Sequence, residues 1–314
     1  MSNSLKYILG LDIGASSIKY GWGDCQQGLQ HYAKKELSLK SLSFLKETVH
    51  SILRECDSMC GLDNILAIGI GTPGTIDTQS GKIAGTNPNL PFWSGHSPAE
   101  LIPSELNIPV YYDNDANLMC LAEAWQRKLS GKVIGITVGS GIGSGMVDAG
   151  KVYRGAHGYA MELGHVIATP GGAICTCGRK GCLEAYASVD GLRRRIEALP
   201  GFSHLSGKNI SLIEMLKLRE QYPEVDSLVQ EGRFQLARAL SDLIVVLDPD
   251  VIVVGGGAMD AGLYSLEVLT KDIYEMLPLV NLPHLRLDMA LEGNRAGTMG
   301  AVILASSCDF STWE

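Results

Sequence analysis

Residues 8–16 read ILGLDIGAS, and residues 133–141 read VIGITVGSG. Laid over each other at an offset of 125, both are an apolar strand running into a glycine turn, with Gly10 over Gly135 and Gly14 over Gly139. The elements after each stretch repeat too. After the first come strand-like runs at Ile18–Gly23 and Leu29–Leu37. A helix comes next with Leu42, Leu45, Val49, Ile52, Leu53 and Cys56 on one face, then the apolar run Ile65–Ile70. After the second, Gly145–Asp148 and Lys151–Tyr153 pair as a hairpin across Ala149-Gly150. Leu236, Leu240, Leu243, Ile244 and Leu247 then make a helical stripe that leads into the strand Val251–Val254. The shared order of elements favours a duplicated α/β unit over a chance likeness of nine residues. Two such halves would leave a cleft between them, lined by glycine loops at strand ends, where α/β folds bind ligands.

Composition narrows the classes. A chain of 314 residues, 46% apolar and 19% charged, is long enough for two domains with buried cores. Its 37 glycines exceed the average usage of about 7% without a collagen period, which points to tight turns or close approach to a ligand. A net charge of −8 argues against a partner with a phosphate backbone, so no nucleic acid is expected. No apolar run approaches the roughly 18 residues of a membrane helix, and no signal peptide precedes the first strand. The expectation is a cytoplasmic protein with no membrane partner, its eight cysteines present as reduced thiols or metal ligands.

Asp12-x-Gly14 and Thr137-x-Gly139-x-Gly141-x-Gly143 are candidate phosphate loops, because glycines let backbone N–H groups converge on phosphate oxygens. Each alone is also read as a plain glycine turn; two in matching places favour one nucleotide held from both sides. Asp12, at a strand end, suits Mg²⁺ held through water. Gly255, Gly256 and Gly257, closing a buried strand, suit the adenosine end of that nucleotide.

The strand Ile108–Tyr112 runs into Asp113-Asn114-Asp115 and then a strong helix pattern from Ala116. Asp and Asn are preferred helix caps, and a cap is what the pattern alone supports. A carboxylate there stays ionised beside the helix N-terminus and can accept a proton from an attacking hydroxyl. Composition does not say which aspartate acts.

The sharpest signal is His165 followed by Cys175, Cys177 and Cys182, a spacing H-x9-C-x-C-x4-C. One imidazole and three thiolates are the donor set of a closed, structural zinc site with no open position for chemistry. The competing reading is three buried thiols that happen to cluster, while the other cysteines (25, 56, 60, 120, 308) are scattered.

On these motifs the chain resembles the ROK family of sugar kinases and sugar-responsive repressors, within the actin/hexokinase/Hsp70 ATPase fold. Leu11–Gly14 and Thr137–Gly145 are similar to the family's phosphate motifs, Gly69–Gly74 to its sugar-side glycine loop, and Asn89–Trp93 to the sugar-contact segment after it. Asp113–Asn117 resembles the catalytic motif. Glu162-Leu163-Gly164-His165 with Cys175–Glu184 resembles the combined sugar and zinc signature. The resemblance implies two related α/β domains of the ribonuclease H-like type, with nucleotide and sugar in the cleft. It implies a small N-terminal domain over 1–116 completed by a C-terminal helix at 297–314. A larger domain over 117–296 carries a zinc loop at 165–182.

The resemblance also makes Asp115 the catalytic base. It assigns Gly74, Asn89, Asn114, Glu162, His165 and Glu184 to the sugar, and Asp12, Gly14, Ser16, Thr137, Gly139, Gly141 and Gly255–Gly257 to ATP and Mg²⁺. It implies a structural Zn²⁺ on His165, Cys175, Cys177 and Cys182, and a homodimer. One departure stands out. Many members carry Gly-Gly-Thr-Lys after Asp-Ile, where this chain has Gly14-Ala15-Ser16-Ser17, with a lysine only at Lys19. The activity implied is ATP-dependent phosphorylation of a hexose or N-acetylhexosamine, at the 6-hydroxyl. The alternative is a sugar-binding regulator or sensor, disfavoured because about six residues before the first strand leave no room for a helix-turn-helix.

Overall fold

The computed structural model describes residues 6–85, 90–205, 207–277, 285–306 and 308. β1 (Tyr7–Ile13), β2 (Ser17–Asp24) and β3 (Gly28–Glu36) form an antiparallel meander. The helix α1 (Leu42–Cys60) follows. Ser41 caps it by accepting the Phe44 N–H, Leu45, Val49, Ile52, Leu53 and Cys56 are its buried face, and it stops at Gly61, which takes a positive φ of 78°. β4 (Ile65–Thr72) then returns parallel to β1. A two-stranded ribbon, β5 (Thr75–Ile76) and β6 (Ile83–Ala84), precedes β7 (Val110–Asn114), which lies parallel to β4 and leads directly into α2 (Asp115–Gln126). The sheet order is β3-β2-β1-β4-β7.

The second sheet has β8 (Val133–Val138), β9 (Ile142–Asp148) and β10 (Lys151–Val152). After them come α3 (Glu184–Ala187), α4 (Val189–Glu197), α5 (Leu212–Gln221) and the long α6 (Pro223–Leu247). β11 (Val251–Gly255), α7 (Gly257–Asp260), α8 (Leu266–Met276) and β12 (Arg286–Met289) complete it, and α9 (Ala296–Ala305) follows. Its order, β10-β9-β8-β11-β12, repeats that of the first sheet with β8 in the place of β1 and β11 in the place of β4. The two stretches read as a repeat are β1 and β8, and each has a parallel partner on one side, β4 and β11.

The chain divides into two compact units, but not at residue 116. The first runs on to Ser130 and takes in Gly145–Ala160 and the segment from Asn294; the second is Gly131–Ser144 with Met161–Gly293. The reason is α2. Its residues Ala116–Ala124 are buried, and it packs on α9 so closely that a Cβ at Gly300 would sit 1.9 Å from the Leu118 carbonyl oxygen. A Cβ at Gly69 would likewise meet the Ala301 carbonyl at 1.9 Å, so α9 lies backbone to backbone on β4 as well. Gly300→Ala is therefore expected to cost about 1–3 kcal/mol, because rigid main chain has to move apart. Urea unfolding measures it, and a variant as stable as the parent would contradict this packing. Of the C-terminal helix expected at 297–314, α9 accounts for the part to Ala305; residues 307 and 309–314 lie outside the described residues.

The cysteine expectation needs one correction. Cys25 and Cys308 form a disulfide across a sequence separation of 283. Helix α9 packs along β1, β4 and β2, which carries the chain back to the turn after β2 where Cys25 sits. Cys56, Cys60, Cys120, Cys175, Cys177 and Cys182 are not in disulfides. Among the described residues no helix is long and apolar enough to cross a membrane.

Candidate active site

In the first unit the polar turn at 113–117 falls at the end of β7, where a strand hands over to a helix. Asn114 is the N-cap of α2: its Oδ1 accepts the N–H groups of Ala116 (2.9 Å) and Asn117 (3.4 Å). Its Nδ2 donates to the Gly74 carbonyl at 3.2 Å, so the structure brings Gly74 and Asn114 together. The pairing of Thr72 with Asn114 across the parallel strands β4 and β7 makes that contact possible. Asp113 is buried and both its oxygens are engaged. Oδ1 accepts from Asn117 Nδ2 (2.9 Å) and from the Asn114 N–H (2.8 Å); Oδ2 accepts from Arg154 Nε (2.6 Å) and lies 2.5 Å from Arg154 Nη2. Asp115 opens α2, half-buried, with Oδ1 accepting the Ala116 N–H at 2.9 Å. The two aspartates thus differ: one is clamped inside, the other stands at the helix entrance. Asn89 lies outside the described residues.

Asp12 is at the end of β1, with its cross-strand neighbour Lys19 on β2 at 3.5 Å. Burial pushes its carboxyl above the usual range, and the ammonium of Lys19 pulls the other way. The first turn of α9 lies against it: a Cβ at Gly297 would come within 2.6 Å of the Asp12 carboxylate. Gly297 escaped the sequence reading, although a second glycine three residues later in an apolar helix was its signal. Gly14 donates its N–H to the Ser17 carbonyl (2.8 Å), closing the turn that exposes Ser16. Ser17, at the place of the expected lysine, is buried, so the cation beside Asp12 is Lys19.

The second unit gathers the other glycine loops. Thr137 and Gly255 are register partners of β8 and β11, which puts the Thr137–Gly141 turn beside Gly255–Gly257. Gly256 has φ 99°, and a Cβ there would strike the Val138 carbonyl at 2.5 Å, so only glycine fits. Gly139 donates to the Gly141 carbonyl (2.9 Å), and nothing stands within 4 Å of a Cβ built on Gly139 or Gly257. Those two positions leave room for a ligand to approach main chain. Glu184 links this loop to the cysteines: Oε2 accepts the Ile142 N–H (3.1 Å), while Oε1 accepts from Thr176 Oγ1 (3.1 Å) and the Cys175 thiol (3.6 Å).

The four soft donors converge. Ligand atoms of His165, Cys175, Cys177 and Cys182 all lie within 4.8 Å of one another. Cys175 Sγ is 3.7 Å from His165 Nδ1, and Cys177 Sγ is 3.7 Å from Cys182 Sγ. Zn–S bonds of about 2.3 Å in a tetrahedron put neighbouring ligand atoms roughly 3.6–3.8 Å apart, so the donor set fits that ion. A turn closed by the Gly178 N–H on the Cys175 carbonyl (3.0 Å) presents the first two thiols, and the Arg179 guanidinium donates to the His165 carbonyl. Burial pushes the Cys175 thiol up to about 12 and raises Cys182. At Cys177 burial is outweighed by hydrogen bonds from the Arg179 N–H and neighbouring groups, which lower it. Glu162, exposed, heads the short turn that carries His165 and accepts its N–H at 3.0 Å.

The ROK family model matches residues 8–307. An N-acetyl-D-glucosamine kinase of Photobacterium profundum is 29% identical over 312 residues, covering 94% of this chain and 98% of its own. A putative xylose repressor of Caldicellulosiruptor sp. is 31% identical over 255 residues, 77% of this chain and 63% of its own. A ROK family glucokinase from Streptomyces griseus, solved in complex with glucose and AMPPNP, superposes with a TM-score of 0.78 at 27% identity, covering 95% of this chain and 99% of that one. With a match that spans the strands, the polar turn and the cysteine loop alike, the chain belongs to the ROK family.

Proposed function

We propose that this chain is an ATP-dependent sugar kinase that transfers the γ-phosphoryl group to the 6-hydroxyl of a hexose or N-acetylhexosamine. The observation that carries the reading is the division of labour at 113–115. Asp113 is consumed by the fold, Asn114 is tied to Gly74, and Asp115 is presented at a helix N-terminus that keeps a carboxylate ionised. Asp115 takes the proton of the sugar hydroxyl as it attacks phosphorus, and Asn114 with Gly74 orients the hydroxyls. Asn89, Glu162, His165 and Glu184 are the further sugar contacts in this reading. The Thr137–Gly141 turn and Gly14 with Ser16 supply donors to the phosphates, and Gly255–Gly257 leave space for the adenosine. Mg²⁺, when bound, neutralises phosphate charge, and Asp12 is the carboxylate that holds it. The zinc held by His165 and the three cysteines is structural; it fixes the loop on which Glu162, His165 and Glu184 are carried. The assembly is a homodimer.

The kinase names among the relatives, and the glucose and AMPPNP in the Streptomyces griseus structure, support this reading. The repressor relative supports a second: a sensor that binds sugar without turnover. ADP release, followed across a panel of glucose, N-acetylglucosamine, N-acetylmannosamine, fructose and allose, separates them. We expect sustained turnover with at least one sugar, at a kcat on the order of 1–10³ s⁻¹. Sugar binding without ADP release on every member would give the chain to the sensor class.

A further inference from the structure

The first unit holds a cavity of about 240 Å³ lined by Asp77, Thr78, Tyr112, Asn114, Asn117 and Arg154, among others. It opens beside the one aspartate of the polar turn that the proposed chemistry does not use. Asp113 is 3% exposed and takes four donors, two on each oxygen. Oδ1 takes the Asn114 N–H and the Asn117 amide, both within the turn; Oδ2 takes two donors of the Arg154 guanidinium. Arg154 arrives from the segment after β10, 41 residues along the chain, and its side chain is 39% exposed.

We infer that Arg154 is a positioning residue for phosphoryl transfer, acting through Asp113 on the turn that presents Asn114 and Asp115. The inference rests on the kinase reading. A carboxylate this buried keeps its orientation only with a partner for Oδ2. Without Arg154 the Asp113 carboxylate loses both donors on Oδ2 and rotates toward the cavity. That rotation withdraws Oδ1 from the Asn114 N–H and the Asn117 amide. The first turn of α2 then loses its anchor to β7, and Asp115 moves with it. Phosphoryl transfer depends on position, so a displacement of about 1 Å at the base is enough to cost on the order of 10²-fold in rate. Lysine has the charge but only a point donor, so it does not reproduce the two donors that reach Oδ2.

The test uses the full-length chain with its best sugar. Arg154→Ala is expected to lower kcat by roughly 10²-fold, with the KM for ATP within about twofold of the parent. Guanidinium ion, at low millimolar concentration and far below denaturing levels, enters the space left beside Asp113 and restores about tenfold of the lost rate. Arg154→Lys retains part of the activity and gains nothing from guanidinium. Hydrogen exchange supplies a readout apart from turnover: the Ala116 and Asn117 amides should exchange faster in Arg154→Ala and recover protection with guanidinium. A kcat within about threefold of the parent overturns the inference. So does a loss without rescue while exchange at 113–117 is unchanged. Inactive Asp115→Asn beside a fully active Arg154→Ala sinks this inference alone. If the parent turns over no sugar, the kinase reading falls instead, and unchanged amide exchange in Arg154→Ala still counts against Arg154.

Discussion

Asp115→Asn should lower kcat by about 10²–10⁴-fold, the range over which a positioned base contributes to proton transfer, with little change in stability. Asparagine keeps the shape and an oxygen for the Ala116 N–H, so α2 starts as before. It removes only the site that receives the sugar hydroxyl's proton. The KM for ATP should stay within a few-fold, since the glycine loops proposed for its phosphates are untouched. Asp113→Asn makes the informative contrast. That change leaves Arg154 facing a neutral amide in a buried place, so it should unfold more readily as well as slow turnover. An Asp115→Asn enzyme with parental kcat on the best sugar would remove the base from this account.

Removing the metal should produce the largest effect on stability. Metal analysis is expected to find about one zinc per chain. Cys182→Ser takes out a proposed ligand that is fully buried, and a chelator would act on the same site. Burial raises Cys175 and Cys182, and a bound dication would let the clustered thiols ionise together. We expect the apparent Tm to fall by roughly 10 °C, the equivalent of several kcal/mol in a domain of this size. Turnover should fall too, because the loop that carries Glu162, His165 and Glu184 would lose the ion proposed to fix it. A chain with no metal and freely titratable Cys175, Cys177 and Cys182 in the folded state would end the zinc proposal.

Much of the fold was readable in the residues, and the parts that were not share a common cause. The repeat at 8–16 and 133–141 was legible because strand period and glycine turns are local, and each half carries its own copy. The cysteine–histidine spacing was legible for the same reason: the four donors fall within 18 residues, from His165 to Cys182. The different surroundings of Asp113 and Asp115 were not, because the clamp on Asp113 comes from Arg154, 41 residues away, a single arginine outside any motif. The boundary at 116 failed similarly. Helix α2 looks like the start of something new in sequence, and its packing partner α9 begins only at Ala296. Gly297 against Asp12 belongs to the same set of contacts, made between distant parts of the chain.

The Cys25–Cys308 bond also has a topological consequence. At a sequence separation of 283, it closes everything between Cys25 and Cys308 into one covalent ring. A protease that nicks any surface loop between those cysteines opens the ring without releasing a fragment. On a non-reducing gel a singly cut molecule should therefore keep its full mass, and it should separate into two pieces only after a reductant is added.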